Sequence, residues 1–137
     1  MDYFLPEMNT AEIDSISMLG LAHLGDSVYE LMTRTMLCTD GHRTVGDLHR
    51  LTVHYVNANA QAEAVKRILP MLSEEENAVF RRGRNTRVNS VPQNSSVTNY
   101  HAATGLEALF GWLYLQRRHE RLNELFSAIM GGNENAT

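Results

Sequence analysis

Three carboxylates stand in segments that are otherwise apolar or small. Asp26 and Glu30 lie in Leu21-Ala22-His23-Leu24-Gly25-Asp26-Ser27-Val28-Tyr29-Glu30-Leu31. Their i,i+4 spacing puts both on one face of a helix, with His23 on the same side. Glu107 lies in Thr104-Gly105-Leu106-Glu107-Ala108-Leu109-Phe110-Gly111-Trp112-Leu113-Tyr114-Leu115, with small residues at 105, 108 and 111. A carboxylate on an apolar stripe is costly to bury unless it is paired or binds a cation. Two carboxylates from two packed helices suit Mg2+, which prefers oxygen and keeps several waters, so one or two protein ligands suffice where phosphate supplies others. Such an ion lowers the pKa of a bound water and offsets charge in a phosphoryl transition state. On spacing alone, two ordinary surface acids are the commoner outcome, since helix acids mostly sit in water. Gly25 lowers the stability of its helix by up to about 1 kcal/mol relative to Ala. A glycine there makes sense if a second backbone approaches closely.

The elements that must position these groups read as helices with short joints, and no strand-period run competes. A first long helix is expected from about Asp14 to Leu37, with Ile16, Leu19, Val28 and Leu31 as its apolar face and Gly41 as a stop. A second is expected from near Thr44, with Asp47 in a capping-box variant, through Leu48, Leu51, Tyr55, Ala58, Ala62 and Val65 to Ile68, closed by Pro70. Ser73-Glu74-Glu75-Glu76 is a capping box that opens a helix ending near Gly83, and its acidic turn complements the helix dipole. Asn85 to Asn99 reads as a long polar loop, a kind often functional. A helix from about Val97 or Tyr100 to Leu115 follows, with Leu106, Leu109, Phe110 and Leu113 inward. The last helix runs from about His119 to Met130, stops at Gly131-Gly132, and leaves a disordered tail from Asn133 to Thr137. The 137 residues fit a single all-α domain over 1–137, with its core at about 15–130.

Net charge is −4, which by itself argues against a nucleic-acid partner. The distribution argues the other way. From Asn77 to Leu106 there is no Asp or Glu, while the same stretch carries Arg81, Arg82, Arg84 and Arg87. Local field matters more than the total in meeting a polyanion, although a solvated arginine-rich loop fits the composition equally. Cys38 stands alone, so no internal disulfide forms, and an inert buried thiol is the expectation for it. No run approaches the roughly 20 apolar residues of a membrane span. Met1 to Glu7 lacks the basic start of a secretory signal, so the cytoplasm is the default.

Other groups carry less. His49 and His54, five apart, share a helical face poorly for metal binding. Ser27 has no visible general-base partner. Trp112, Phe110 and Tyr114 are expected in the core or a dimer contact. Asn57, Asn59 and Gln61 form a polar stripe able to touch RNA, although a solvated face is the simpler account.

Leu24-Gly25-Asp26-Ser27-Val28-Tyr29-Glu30-Leu31 resembles the signature helix of ribonuclease III. Glu107-Ala108-Leu109-Phe110-Gly111 resembles that family's second motif. The whole chain resembles more closely the Mini-ribonuclease III branch, which lacks a double-stranded-RNA-binding domain. Arg81-Arg82-Gly83-Arg84-Asn85 and Tyr100-His101-Ala102-Ala103-Thr104 match that branch's pattern, and the likeness covers roughly residues 15 to 130. The resemblance implies an all-α endonuclease domain, paired as a homodimer with one active site per subunit, in which Asp26 and Glu107 hold catalytic Mg2+. It implies cleavage of double-stranded RNA in the maturation of ribosomal RNA, the 23S precursor in particular. Longer members of the family carry acids where this chain has Ala22 and Thr104. Thr104 is then a candidate for holding a metal-bound water, beside a plain structural role, and Glu30 for supporting the ligands from behind. Loss of the two acids is the argument for the rival reading, a non-catalytic RNA-binding module of ribosome assembly with the same fold.

Overall fold

Side-chain caps decide where the helices begin. The structure, a computed structural model, describes residues 1–87 and 96–134, the side chains of 132–134 excepted. Helix α1 (Thr10–Asp14) opens on a capping box between Asn9 and Glu12. Helix α2 (Met18–Thr39) opens on Ser17, whose hydroxyl accepts the Gly20 N–H. Helices α3 (Val45–Val56) and α4 (Ala58–Ile68) open on Thr44 and Asn57. A 3₁₀ turn at Leu69–Met71 takes up Pro70 and leads to α5 (Glu74–Arg84), capped by Ser73. Helix α6 (Val97–Leu115) opens on Ser96, and α7 (His119–Glu134) completes the set. Each cap oxygen satisfies a backbone donor that a helix start otherwise leaves unpaired.

These caps correct two helix boundaries that hydrophobic period alone places differently. The expected helix from Asp14 to Leu37 is α2, which begins only at Met18 behind its Ser17 cap, and Asp14 instead ends a separate short helix, α1. The expected helix from Thr44 to Ile68 is α3 and α4, because Asn57 adopts extended backbone (φ −73°, ψ 159°) and its side chain accepts the Ala60 N–H. The expected apolar face of α2 is also shifted. Leu19 and Leu31 are exposed, and the buried face is Leu21, Ala22, Gly25, Val28, Tyr29, Thr33 and Leu37. The small residues Ala22 and Gly25 share that face with the large ones, and it is there that a neighbouring helix is admitted. Cys38, just past Leu37, falls on the solvent side and is exposed, not buried.

The stop at Gly41 holds. Its φ of 102° lets the His42 N–H reach the Leu37 carbonyl at 3.2 Å and its own N–H reach Cys38 at 3.3 Å, the pairing of a Schellman end. Gly131-Gly132 does not stop α7, which continues to Glu134, into the segment expected to be a disordered tail. Gly131 lacks the positive φ a terminating glycine takes, and Ile129 and Met130 just before it are buried. Residues 135–137 lie outside the described residues. So do 88–95, on which most of the expected loop falls, and its last part, from Val97, is helix.

Helix α6 is the axis of the fold. It packs against α2, α4, α5 and α7, and its residues from Ala103 to Leu115 are buried on nearly every side. A helix apolar all round belongs inside. Phe110 and Trp112 lie in this core as expected, and Tyr114 is packed against it. The Ser73–Glu76 capping box is present, and it carries a second duty. Glu76 is 1% exposed, and Arg121 from α7 donates to both its oxygens, at 2.8 and 2.7 Å. That charge-assisted pair ties α5 to α7 and, with the Ser73 N–H, holds the Glu76 carboxyl below its usual range.

Candidate active site

Helices α2 and α6 touch backbone to backbone. A Cβ on Gly25 would stand 1.6 Å from the Glu107 carbonyl oxygen, and one on Gly111 would stand 2.1 Å from that of Leu21. No side chain fits at either place, so two glycines, one per helix, set the crossing. The cost of Gly25 to its own helix is the condition for this approach. On the other flank of α6, Gly83 at the end of α5 makes a looser approach, where an added Cβ would stand 2.8 Å from Ala108 Cβ and 3.1 Å from Gly105 Cα. The small residues at 105, 108 and 111 are therefore the contact points of α6 with its neighbours.

The crossing brings Asp26 and Glu107 together. Asp26 follows Gly25 and is exposed, while Glu107 is half-buried, and the two carboxyl groups lie close enough to interact. The Glu107 carboxyl is pushed up to about 8, first by burial, then by the negative charge of Asp26. Two carboxyl groups this close repel one another when both are ionised. Opposing the rise, Gln61 of α4 donates its side-chain N–H to Glu107 Oε2 at 3.5 Å.

Asn57 and Asn59 are exposed, as a solvated face requires, but Gln61 is 2% exposed and leaves that stripe. Asn57 caps α4, Asn59 accepts from Asn99 at 2.9 Å, and Gln61 turns inward. The signal for it was in the sequence: Gln61 stands with Ala58, Ala62 and Val65 on the core-facing i, i+3, i+4, i+7 stripe. Tyr29, one turn past Asp26, is 1% exposed, and burial drives its phenol well above the usual range.

The remaining candidates are placed less directly. Glu30 is one turn beyond Asp26, with its carboxylate on Arg34 at 3.1 Å. Thr104, one turn before Glu107, is buried, and its hydroxyl donates to the Tyr100 carbonyl at 3.0 Å. Ala22 is packed in the core. His49 and His54 are both exposed, and among the described residues no group of three or more His, Cys, Asp or Glu forms a metal cluster. Arg81, Arg82 and Arg84 form the last turn of α5, next to the Thr104–Ala108 stretch of α6, and Arg87 follows, exposed. Arg84 lies over the Phe80 ring, 5.6 Å from its centroid, and donates to Asn85 at 3.2 Å. Glu76, the buried acid of the α5 first turn, is held by Arg121 and Arg118 rather than by these arginines.

An all-helical domain built around a paired aspartate and glutamate on two crossing helices defines the class. The Ribonuclease III domain pattern matches residues 19–118. The chain is 50% identical over 111 residues to the Mini-ribonuclease 3 of Thermoanaerobacter sp. (strain X514), covering 81% of this chain and 78% of that one. It is 40% identical over 130 residues to the Mini-ribonuclease 3 of Clostridium tetani, covering 93% and 86%. A crystal structure of a Fusobacterium nucleatum protein superimposes with a TM-score of 0.81 at 30% identity, covering 88% of this chain and 97% of that one. The chain belongs to the ribonuclease III family, within its Mini-ribonuclease 3 branch.

Proposed function

We propose that this chain, an endoribonuclease by family, cleaves double-stranded RNA with Mg2+ held by Asp26 and Glu107. The observation that carries the reading is the Gly25–Glu107 backbone contact, which brings the two carboxyl groups together on a surface open at Asp26. The donor set fits the ion: two carboxylates, oxygen alone, with room on the Asp26 side for water and phosphate. When bound, Mg2+ supplies a water of lowered pKa and charge to offset the phosphoryl transition state.

The chain's own residues do the rest. Asp26 reaches into solvent and offers its carboxylate from the substrate side. Glu107 offers its carboxylate from the protein side and must give up its proton to do so. Thr104 spends its hydroxyl proton on the Tyr100 carbonyl, which leaves its oxygen as an acceptor for a water beside Glu107. Glu30, one turn beyond Asp26 and paired with Arg34, supports the site only through the charge it adds to that face of α2. Arg81, Arg82, Arg84 and Arg87 bind phosphates along the duplex, whose recognition rests on backbone, 2′-hydroxyls and shape rather than on base edges. One carboxylate pair per chain and two strands to cut call for a homodimer. Exposed Leu19 and Leu31 on α2 leave apolar surface for such pairing. Maturation of the 23S ribosomal RNA precursor in the cytoplasm is the role that this substrate and the family suggest. No helix among the described residues is long and apolar enough to cross a membrane.

Incubation of duplex RNA with the protein, with and without Mg2+, tests the reading. Cleavage that needs Mg2+ and spares single-stranded RNA is expected. Duplex binding without cleavage at any Mg2+ concentration would replace it with a non-catalytic RNA-binding role.

A further inference from the structure

An amide 46 residues from Glu107 in the chain meets it in space. Gln61 leaves α4 on the face that packs against α6, is 2% exposed, and donates to Glu107 Oε2 at 3.5 Å. A buried side-chain amide must find partners, and this one finds the carboxylate of the site. Its backbone is set independently of that bond. Asn57 caps the first turn of α4, and the Asn59–Asn99 hydrogen bond, at 2.9 Å, ties that turn to the start of α6. Gln61 is therefore presented to Glu107 by a frame joined to α6 at a second point.

We propose that Gln61 is a positioning residue for Glu107. Its amide holds Oε2, and with it the plane of the carboxylate, so that the other oxygen stays available to a cation shared with Asp26. A half-buried glutamate has three side-chain torsions, and of the groups beside it Asp26 is an exposed acid while Gln61 is a buried neutral donor, so Gln61 is the one that can hold Glu107 in place. An amide does this without adding charge, so the pair keeps its attraction for the cation. This rests on the reading that Asp26 and Glu107 bind Mg2+.

The test uses Mn2+ as the probe, titrated by electron paramagnetic resonance against the wild type, Glu107→Gln, Gln61→Met and Gln61→Leu. Thermal melts of each report the fold. Support from groups behind a metal ligand typically carries about 10- to 100-fold in metal affinity or activity. Gln61→Met is expected to weaken Mn2+ binding by about that factor and to raise the Mg2+ needed for half-maximal cleavage in parallel. The rate at saturating Mg2+ and the affinity for duplex RNA should return close to wild type. A merely structural role would lower the melting temperature or the maximal rate and leave metal affinity alone. Gln61→Leu, of different shape and equally without a donor, must give the same metal shift, and it serves where the methionine variant folds poorly. Unchanged Mn2+ affinity in a folded Gln61 variant, with a wild type that loses its Mn2+ on Glu107→Gln, overturns the role of Gln61 alone. A wild type that binds no Mn2+, or binds it equally in Glu107→Gln, overturns the metal reading and this inference with it.

Discussion

Gly25→Ala should damage both stability and cleavage, and the size of the damage follows from one distance. The added Cβ would lie 1.6 Å from the Glu107 carbonyl oxygen, whereas real Cβ contacts keep at least 3.0 Å. The obstacle is main chain in a buried helix, so no side-chain rotation relieves it. Helices α2 and α6 must part locally by about 1.4 Å, the difference between those distances. A radial gap of 0.5–1 Å already forfeits roughly a quarter to a half of a dispersion contact. The α2–α6 interface is the most extensive in the fold. Overpacking of this kind costs about 3 kcal/mol, against about 1 kcal/mol regained from helix propensity. The net change lowers the melting temperature by roughly 5–10 °C. The same displacement separates Asp26 from Glu107, and misplacement by about 1 Å can cost on the order of 100-fold in rate. Thermal melts and cleavage of duplex RNA in Mg2+ read the two effects. Gly46→Ala, where nothing lies within 4 Å, is the control and should leave both unchanged or slightly improved. A Gly25→Ala protein that melts with the wild type and cuts at the wild-type rate would refute the claim that this contact builds the site.

Arg121→Ala strands the Glu76 carboxylate, 1% exposed, and should cost about 3–5 kcal/mol in denaturant titration. Glu76 is depressed in the fold, so its pair stabilises above the unfolded carboxylate range and is lost as pH falls through the folded value; the variant should lose that acid dependence. Glu107 has the opposite sign. The metal-free fold keeps its proton up to about pH 8 while the unfolded chain releases it near 4.5, so stability should fall as pH rises across that window. Melts of chelator-treated protein from pH 5 to 9 check this, and Glu107→Gln should flatten the slope; parallel profiles for the two proteins would reject it. Arg87→Ala should weaken duplex binding and reduce its salt dependence by about one contact, without a change in melting temperature. Arg84→Ala should do the same with some loss of stability, because Arg84 also covers Phe80.

Much of this was legible in the residues. The small positions 25, 105, 108 and 111 announced close helix contacts, and Glu107 among apolar neighbours announced a carboxylate that needs a partner. Hydrophobic period located the buried helix α6 and the capping box located α5, because both signals are local. The start at Ser17 and the break at Asn57 were missed because period continues across a cap, and only the cap residue itself marks the new start. Gln61 was missed because a polar residue on a stripe is ambiguous until its partner, 46 residues away, is known. The Glu76–Arg121 pair is of the same kind: the helix-start motif was visible, and its cross-helix partner was not.

The most direct test of the central claim is the rate at which Asp26→Asn cuts duplex RNA in saturating Mg2+, beside its affinity for the same duplex. The substitution keeps shape at an exposed position and removes one charge of the pair. Cleavage should be abolished while duplex affinity largely survives. An Asp26→Asn protein that cuts at close to the wild-type rate would show that the Asp26–Glu107 pair is not where the metal acts.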